Sequence, residues 1–223
     1  MIFGVYKINI CSFGVVQKNR NKNINNRKMK TTIFAAVASV LLMTSCGDGG
    51  IYPQNEGGGK AVKQIIDKNF DGEKQVQELT IKAKDELYGE LGTLTAVYWD
   101  GDKQMEDVFS SSDGMKESAE TFGSKQKMTH LPKTKTVAIK EFDVEPIPYK
   151  VGEAAGLIPE EYENYALADY QFTVGDDGKI KQLFTINTTK KGEGKTQNGR
   201  MVSQNYYPFK FKIDDAGKVV AID

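Results

Sequence analysis

The sequence predicts an α+β fold, with short helices packed on an antiparallel β-sheet. Three observations carry this. Short stretches with helical spacing, at 60–69 and 151–157, each precede a run of segments that alternate apolar and polar residues with period two. Those segments are separated by Asp-Gly turns rather than by crossover helices, so neighbouring strands pair antiparallel. The order helix, strand, strand, strand runs through 60–110 and again through 151–222. That gives possible halves 60–150 and 151–223, as two α-β-β-β repeats, although no residue-level identity supports a duplication.

Taken in order, Val62, Ile65 and Ile66 lie on one side of a helix over Lys60–Asn69. Val76 leads into a strand in which Leu79, Ile81 and Ala83 alternate with Thr80 and Lys82. Leu91–Trp99 has apolar residues on both faces, as a central strand does. Asp100-Gly101-Asp102 turns it back into Gln104–Ser110. Met115–Thr121 reads as one or two helical turns, and Thr134–Phe142 alternates weakly around Val137 and Ile139 before Pro146 and Pro148 break the pattern.

In the second half Val151–Leu157 reads as a weak helix. Ala166, Ala168, Tyr170, Phe172 and Val174 then form one strand face, and Asp176-Asp177-Gly178 turns into Ile180–Thr188. A polar, glycine-rich loop over Lys190–Gly199 follows. Tyr207, Phe209, Phe211 and Ile213 alternate against Lys210 and Lys212. Pro208 argues for an edge strand or a bulge there, and Val219–Ile222 closes a last hairpin.

Upstream, Met29–Cys46 reads MKTTIFAAVASVLLMTSC. A basic residue, an apolar run of about 11 residues, small residues and a cysteine follow one another in the order of a secretory signal. The run is too short to span a bilayer core, which takes roughly 20 residues. This stretch resembles the signal peptide and lipobox of bacterial lipoproteins, with Met43 where that family prefers leucine. The resemblance implies diacylglycerol on the Cys46 thiol and cleavage before Cys46. It also implies a mature protein held in the bacterial cell envelope, at the outer rather than the inner membrane.

On that reading 1–28, a basic and Asn-rich run without apolar period, is an over-extension upstream of Met29. Residues 29–45 are the signal, 46–59 a flexible tether and 60–223 one α+β domain. Cys11 and Cys46 are the only cysteines, so the mature body has no disulfide framework and no Cys-based zinc site. Equal numbers of basic and acidic side chains, 30 of each, argue against a nucleic-acid binder.

The sharpest motif is Asp67–Glu78, which satisfies D-x-[DN]-x-[DN]-G-x5-E and resembles the calcium loop of EF-hand proteins. The resemblance implies side-chain ligands at Asp67, Asn69 and Asp71, the carbonyl of Glu73, and both carboxylate oxygens of Glu78. Three features depart from it. Lys74 stands where an aliphatic residue is usual, the following residues alternate like a strand, and no second loop pairs with this one. The stretch Ile65–Gly72, a helix ending in an Asn-Phe-x-Gly turn, also resembles the helix-plus-sheet repeats of periplasmic inhibitor and PepSY-like domains.

Asp100/Asp102 and Asp176/Asp177 pair carboxylates, but beside glycines that make ordinary turns. His130, the sole histidine, stands in a polar loop with no recognisable nucleophile around it. The expected function is therefore a non-catalytic binding or structural module. It would be attached to the membrane through its N-terminal lipid, with another envelope protein as partner and no cofactor. The alternatives are a calcium-binding envelope protein using 67–78 and a hydrolase using an Asp/Glu pair.

Overall fold

Helix α1 (Gly58–Asn69) and helix α2 (Ile147–Ala155) lie on one face of a nine-stranded, wholly antiparallel sheet. The computed structural model describes residues 50–121, 135–198 and 201–222, and no side chain between 196 and 202. The signal segment, Cys46 and His130 lie outside the described residues. The described residues all belong to one compact unit, Cys46–Asp223.

The strands, in chain order, are β1 (Gln75–Val76), β2 (Glu78–Ala83), β3 (Leu91–Asp100), β4 (Lys103–Ser110), β5 (Gly114–Met115), β6 (Ala119–Glu120), β7 (Val137–Ala138), β8 (Tyr162–Val174), β9 (Ile180–Lys190), β10 (Thr196–Asn198), β11 (Met201–Ser203), β12 (Tyr207–Ile213) and β13 (Val219–Ile222). Across the main sheet the order is β13-β12-β9-β8-β2-β3-β4-β5, with β6 also on β4. The pairs β1–β7 and β10–β11 stand apart from it. The β2–β8 ladder, from Glu78 opposite Thr173 to Lys82 opposite Asp169, joins the strands of the first half to those of the second.

The core lies between this sheet and the helices. Register places Leu79 between Ala96 and Phe172, and Ile81 between Leu94 and Tyr170. Tyr170, Phe184 and Phe211 then follow one another across β8, β9 and β12. Tyr170 and Phe184 stack with centroids 4.9 Å apart, and Phe184 meets Phe211 at 5.5 Å. Val62 and Ile66 of α1 and Ile147, Val151 and Ala154 of α2 seal this layer. Each large side chain so buried contributes about 1.5–3 kcal/mol.

Several elements differ from what the sequence suggests. Met115–Thr121 is not helical; β5 and β6 pair with the outer edge of β4, and sheet edges are satisfied by such short pieces. Helix α2 begins at Ile147, four residues earlier than expected. Pro148 sits in its first turn, where a missing N–H costs nothing. In β8 the alternation slips, because bulges at Glu163/Ala166 and Leu167/Asp169 put Leu167 into the core cluster and leave Ala168 only half-buried. Strand β12 is not an edge strand, since β13 pairs with it from Lys210 to Ile213. Pro208 lies before that stretch, where β9 alone flanks the strand. The Lys190–Gly199 loop includes β10, one arm of a small hairpin.

The stretch expected as a tether joins the body before residue 59. Leu91 N–H donates to the Ile51 carbonyl at 2.7 Å, and Pro53, Gly58 and Gly59 are buried. Gly59 is required by close approach: a Cβ there would stand 2.4 Å from the Glu145 carbonyl oxygen and 2.7 Å from that of Val144. The start of α1 thus packs directly on the chain leading into α2.

Candidate binding face

The sheet has a second face, and no described helix covers it. By register it carries Thr80 and Lys82 from β2, Thr93, Thr95, Val97 and Trp99 from β3, and Asp169, Gln171 and Thr173 from β8. Beyond these stand Leu183 and Thr185 on β9 and Lys210 and Lys212 on β12. Most of these side chains are half-buried. Leu183 stands out at 38% exposure, and Trp99 donates its indole N–H to Gln77 Oε1 at 2.8 Å.

Asp169, Gln171, Leu183, Thr185, Lys210 and Ile222 line a shallow depression of about 310 Å³ on this face. Burial pushes the Asp169 carboxyl above its ordinary range. The Thr185 hydroxyl and the charges of Lys82 and Lys210 offset this only in part. Asp169 is here because it continues the outward alternation of Gln171 and Thr173, opposite Lys82 and Thr185. The sequence signal was a lone acid within an aromatic strand, whose alternation alone did not place it in a depression.

A second polar cluster sits on the helix side of β4. Lys74 Nζ donates to Asp107 Oδ2 at 2.5 Å and stands 3.4 Å from the centre of the Tyr98 ring. Asp107 Oδ1 accepts from Ser118 Oγ at 2.6 Å and from the Tyr98 hydroxyl at 3.3 Å. Burial raises the Asp107 carboxyl, but the donors around it outweigh burial and hold its pKa below the ordinary value. Burial likewise disfavours the Lys74 ammonium, and Asp107 and Tyr98 together outweigh it, so Lys74 titrates above its ordinary value. This cluster ties the turn after α1 to β3 and β4.

The residues of the expected calcium loop are used separately. Asp67 pairs with Lys63, and Asn69 Nδ2 donates to the Ile65 carbonyl at 2.8 Å. Asp71 Oδ1 accepts the Glu73 N–H at 3.0 Å, and the Glu73 carboxylate meets Lys140 at 2.5 Å. Glu78 accepts from Thr80 Oγ1 at 2.7 Å on the uncovered sheet face. The backbone explains this: after Gly72 the chain enters β1, pairing Gln75 with Ala138, instead of curling on to a second helix. Among the described residues no group of three or more His, Cys, Asp or Glu side chains is placed to hold a metal ion.

The paired aspartates belong to turns. Asp177 Oδ1 accepts the Lys179 N–H at 3.0 Å, and this bond lowers its pKa. Gly101, at φ 59°, opens the two-residue β3–β4 loop ahead of Asp102, a place only glycine fills without strain. Because β3, β8 and β12 run in the same direction, the turns holding Asp100, Asp177 and Asp214 share one end of the sheet. No protein-family model matches this chain, and neither a curated protein nor a solved structure matches it.

Proposed function

We propose that this chain is a lipid-anchored cell-envelope protein that binds another envelope protein through the uncovered face of its sheet and carries out no catalysis. The observation that supports this reading is the one-sided packing among the described residues: both helices lie on one face of a broad sheet, and no described helix lies over Leu183 and the Asp169 depression on the other. A bare antiparallel face with mixed polar and apolar side chains offers area and hydrogen-bonding groups to a partner. Lipid attachment at Cys46 rests on the sequence of 29–46.

We also read the halves 60–150 and 151–223 as two α-β-β-β units. What supports this is the strand order, in which β4-β3-β2 and β12-β9-β8 abut through an antiparallel β2–β8 pair, each set following its own helix.

A photoactivatable side chain at Thr95 or Gln171, on the uncovered face, tests the binding reading against one at Gln64, exposed on α1. In intact cells the first two positions should give a discrete adduct and Gln64 none. No adduct from the sheet face, or equal adducts from both faces, sinks it. Metabolic palmitate labelling abolished by Cys46→Ser tests the anchor separately.

A further inference from the structure

We propose that the end of the sheet bearing Tyr88, Tyr165 and Tyr206 rests on the bilayer, so that the strands stand up from the membrane with their Asp-Gly turns outermost. This rests on the reading of Cys46 as a lipid-bearing residue. It adds a second membrane contact, made by the folded body itself.

Topology fixes which end this is. The β2–β3 loop holds Tyr88, β8 begins near Tyr165, and β12 begins just after Tyr206. All three lie opposite the end that holds the Asp-Gly turns. The loop is tied across β8 to β9, since Asn187 Nδ2 donates to the Glu86 carbonyl at 3.0 Å. These tyrosines are 66%, 41% and 44% exposed, and Leu157, between α2 and β8, is 54% exposed. Exposed tyrosines gathered at one end suit the headgroup region, where an apolar ring and a polar hydroxyl are both accommodated.

The point of attachment lies at the same end. Ile51 is bonded to Leu91 at the start of β3, and Gln54 Nε2 donates to the Tyr88 carbonyl at 3.2 Å. Cys46 is five residues before Ile51, a reach of at most about 18 Å at 3.6 Å per residue. The ten residues of β3 carry the opposite end roughly 34 Å further away. A lipid on Cys46 therefore keeps the tyrosine end, rather than the aspartate turns, within about 18 Å of the surface. Glu160, Glu161 and Glu163 are exposed at the tyrosine end together with Lys84, Lys190 and Lys191, so the charges there offset one another and the contact is made by ring insertion rather than by net charge.

Spin labels test this in the processed protein, whose remaining cysteine is consumed by the lipid. Single variants Tyr88→Cys, Tyr165→Cys and Tyr206→Cys are compared with Asp102→Cys and Asp215→Cys, in phosphatidylcholine vesicles. The expected result is a several-fold higher ratio of oxygen to nickel-chelate collisions at the three tyrosine positions than at the two aspartate positions. Equal, fully aqueous ratios at all five, with the protein still sedimenting with the vesicles, overturn this orientation and leave the lipid anchor standing. Protein that stays in the soluble fraction without acyl label on Cys46 overturns both.

Discussion

Lys74 donates to Asp107 at 2.5 Å while its ammonium rests 3.4 Å from the centre of the Tyr98 ring. One side chain thus satisfies a carboxylate that register places on the apolar face of β4, between Met105 and Phe109. Removing the cation leaves Asp107 largely buried with only hydroxyl donors. Lys74→Met should cost about 1.5–3 kcal/mol in urea unfolding, the range for a hydrogen bond to a charged group. A change near zero would mean that the pair is solvated as a surface bridge.

The same pair sets an acid limb. The folded-state pKa of Asp107 lies below its ordinary value, so its contribution to stability is present above the unfolded pKa and is lost as pH falls through the folded one. Unfolding free energy measured from about pH 5 downward should fall more steeply for the parent protein than for Asp107→Asn, whose side chain does not titrate.

Asp169 should behave in the opposite sense. Burial holds its folded pKa above the ordinary value, so its contribution is present below the unfolded pKa and lost as pH rises through the folded one. At pH 7 Asp169→Asn should therefore raise the melting temperature slightly, by less than about 4 °C, while weakening the adduct formed from Gln171. A lowered melting temperature at pH 7 would show that Lys82 and Lys210 more than compensate the burial.

Two glycines separate close approach from backbone freedom. Gly59→Ala forces a Cβ against two carbonyl oxygens of the segment before α2 and should destabilise by about 1–3 kcal/mol. Gly152, inside α2, has open space within 4 Å of the position an added methyl would take. Gly152→Ala should stabilise by about 0.5–1 kcal/mol, read from the same denaturation curves.

Calcium offers a further test. Asp67, Asn69, Asp71, Glu73 and Glu78 each engage a different protein group, and Glu78 stands on the sheet face away from α1. Millimolar calcium should leave the melting temperature unchanged, in the parent protein and in Glu78→Gln alike. An upward shift that Glu78→Gln abolishes would show that the loop binds calcium.

Where alternation is long and apolar, the fold was legible in the sequence. The core faces of β9 and β12 follow from Phe184 and Ile186 and from Phe209 and Phe211, whereas β3 carries apolar residues on both faces and its register with β2 decides that Leu94 and Ala96 point inward. Features that depend on a distant partner were not. Strands β5 and β6 exist because β4 has an edge to fill, and residues 51–53 are ordered by β3. The Asp107 site had one local signal, a carboxylate at an inward position of an apolar strand. Such a residue demands a cation, and Lys74 was the residue that broke the calcium pattern. The uncovered face was half legible: its threonines and lysines mark a solvent side, but only the register of nine strands assembles them into one surface.

The β2–β8 ladder has a consequence in time. Glu78 and Thr173 are neighbours in the sheet, yet most of the domain separates them along the chain. However the chain emerges, β2 lacks this partner until residue 173 has followed it. During that interval Leu79 and Ile81 lie on a strand with one bare edge, the condition under which chains pair with each other instead of with themselves. The step that joins the two halves is thus also the one most exposed to intermolecular error, because the free edge of Glu78–Ala83 stays open to other chains until β8 closes it.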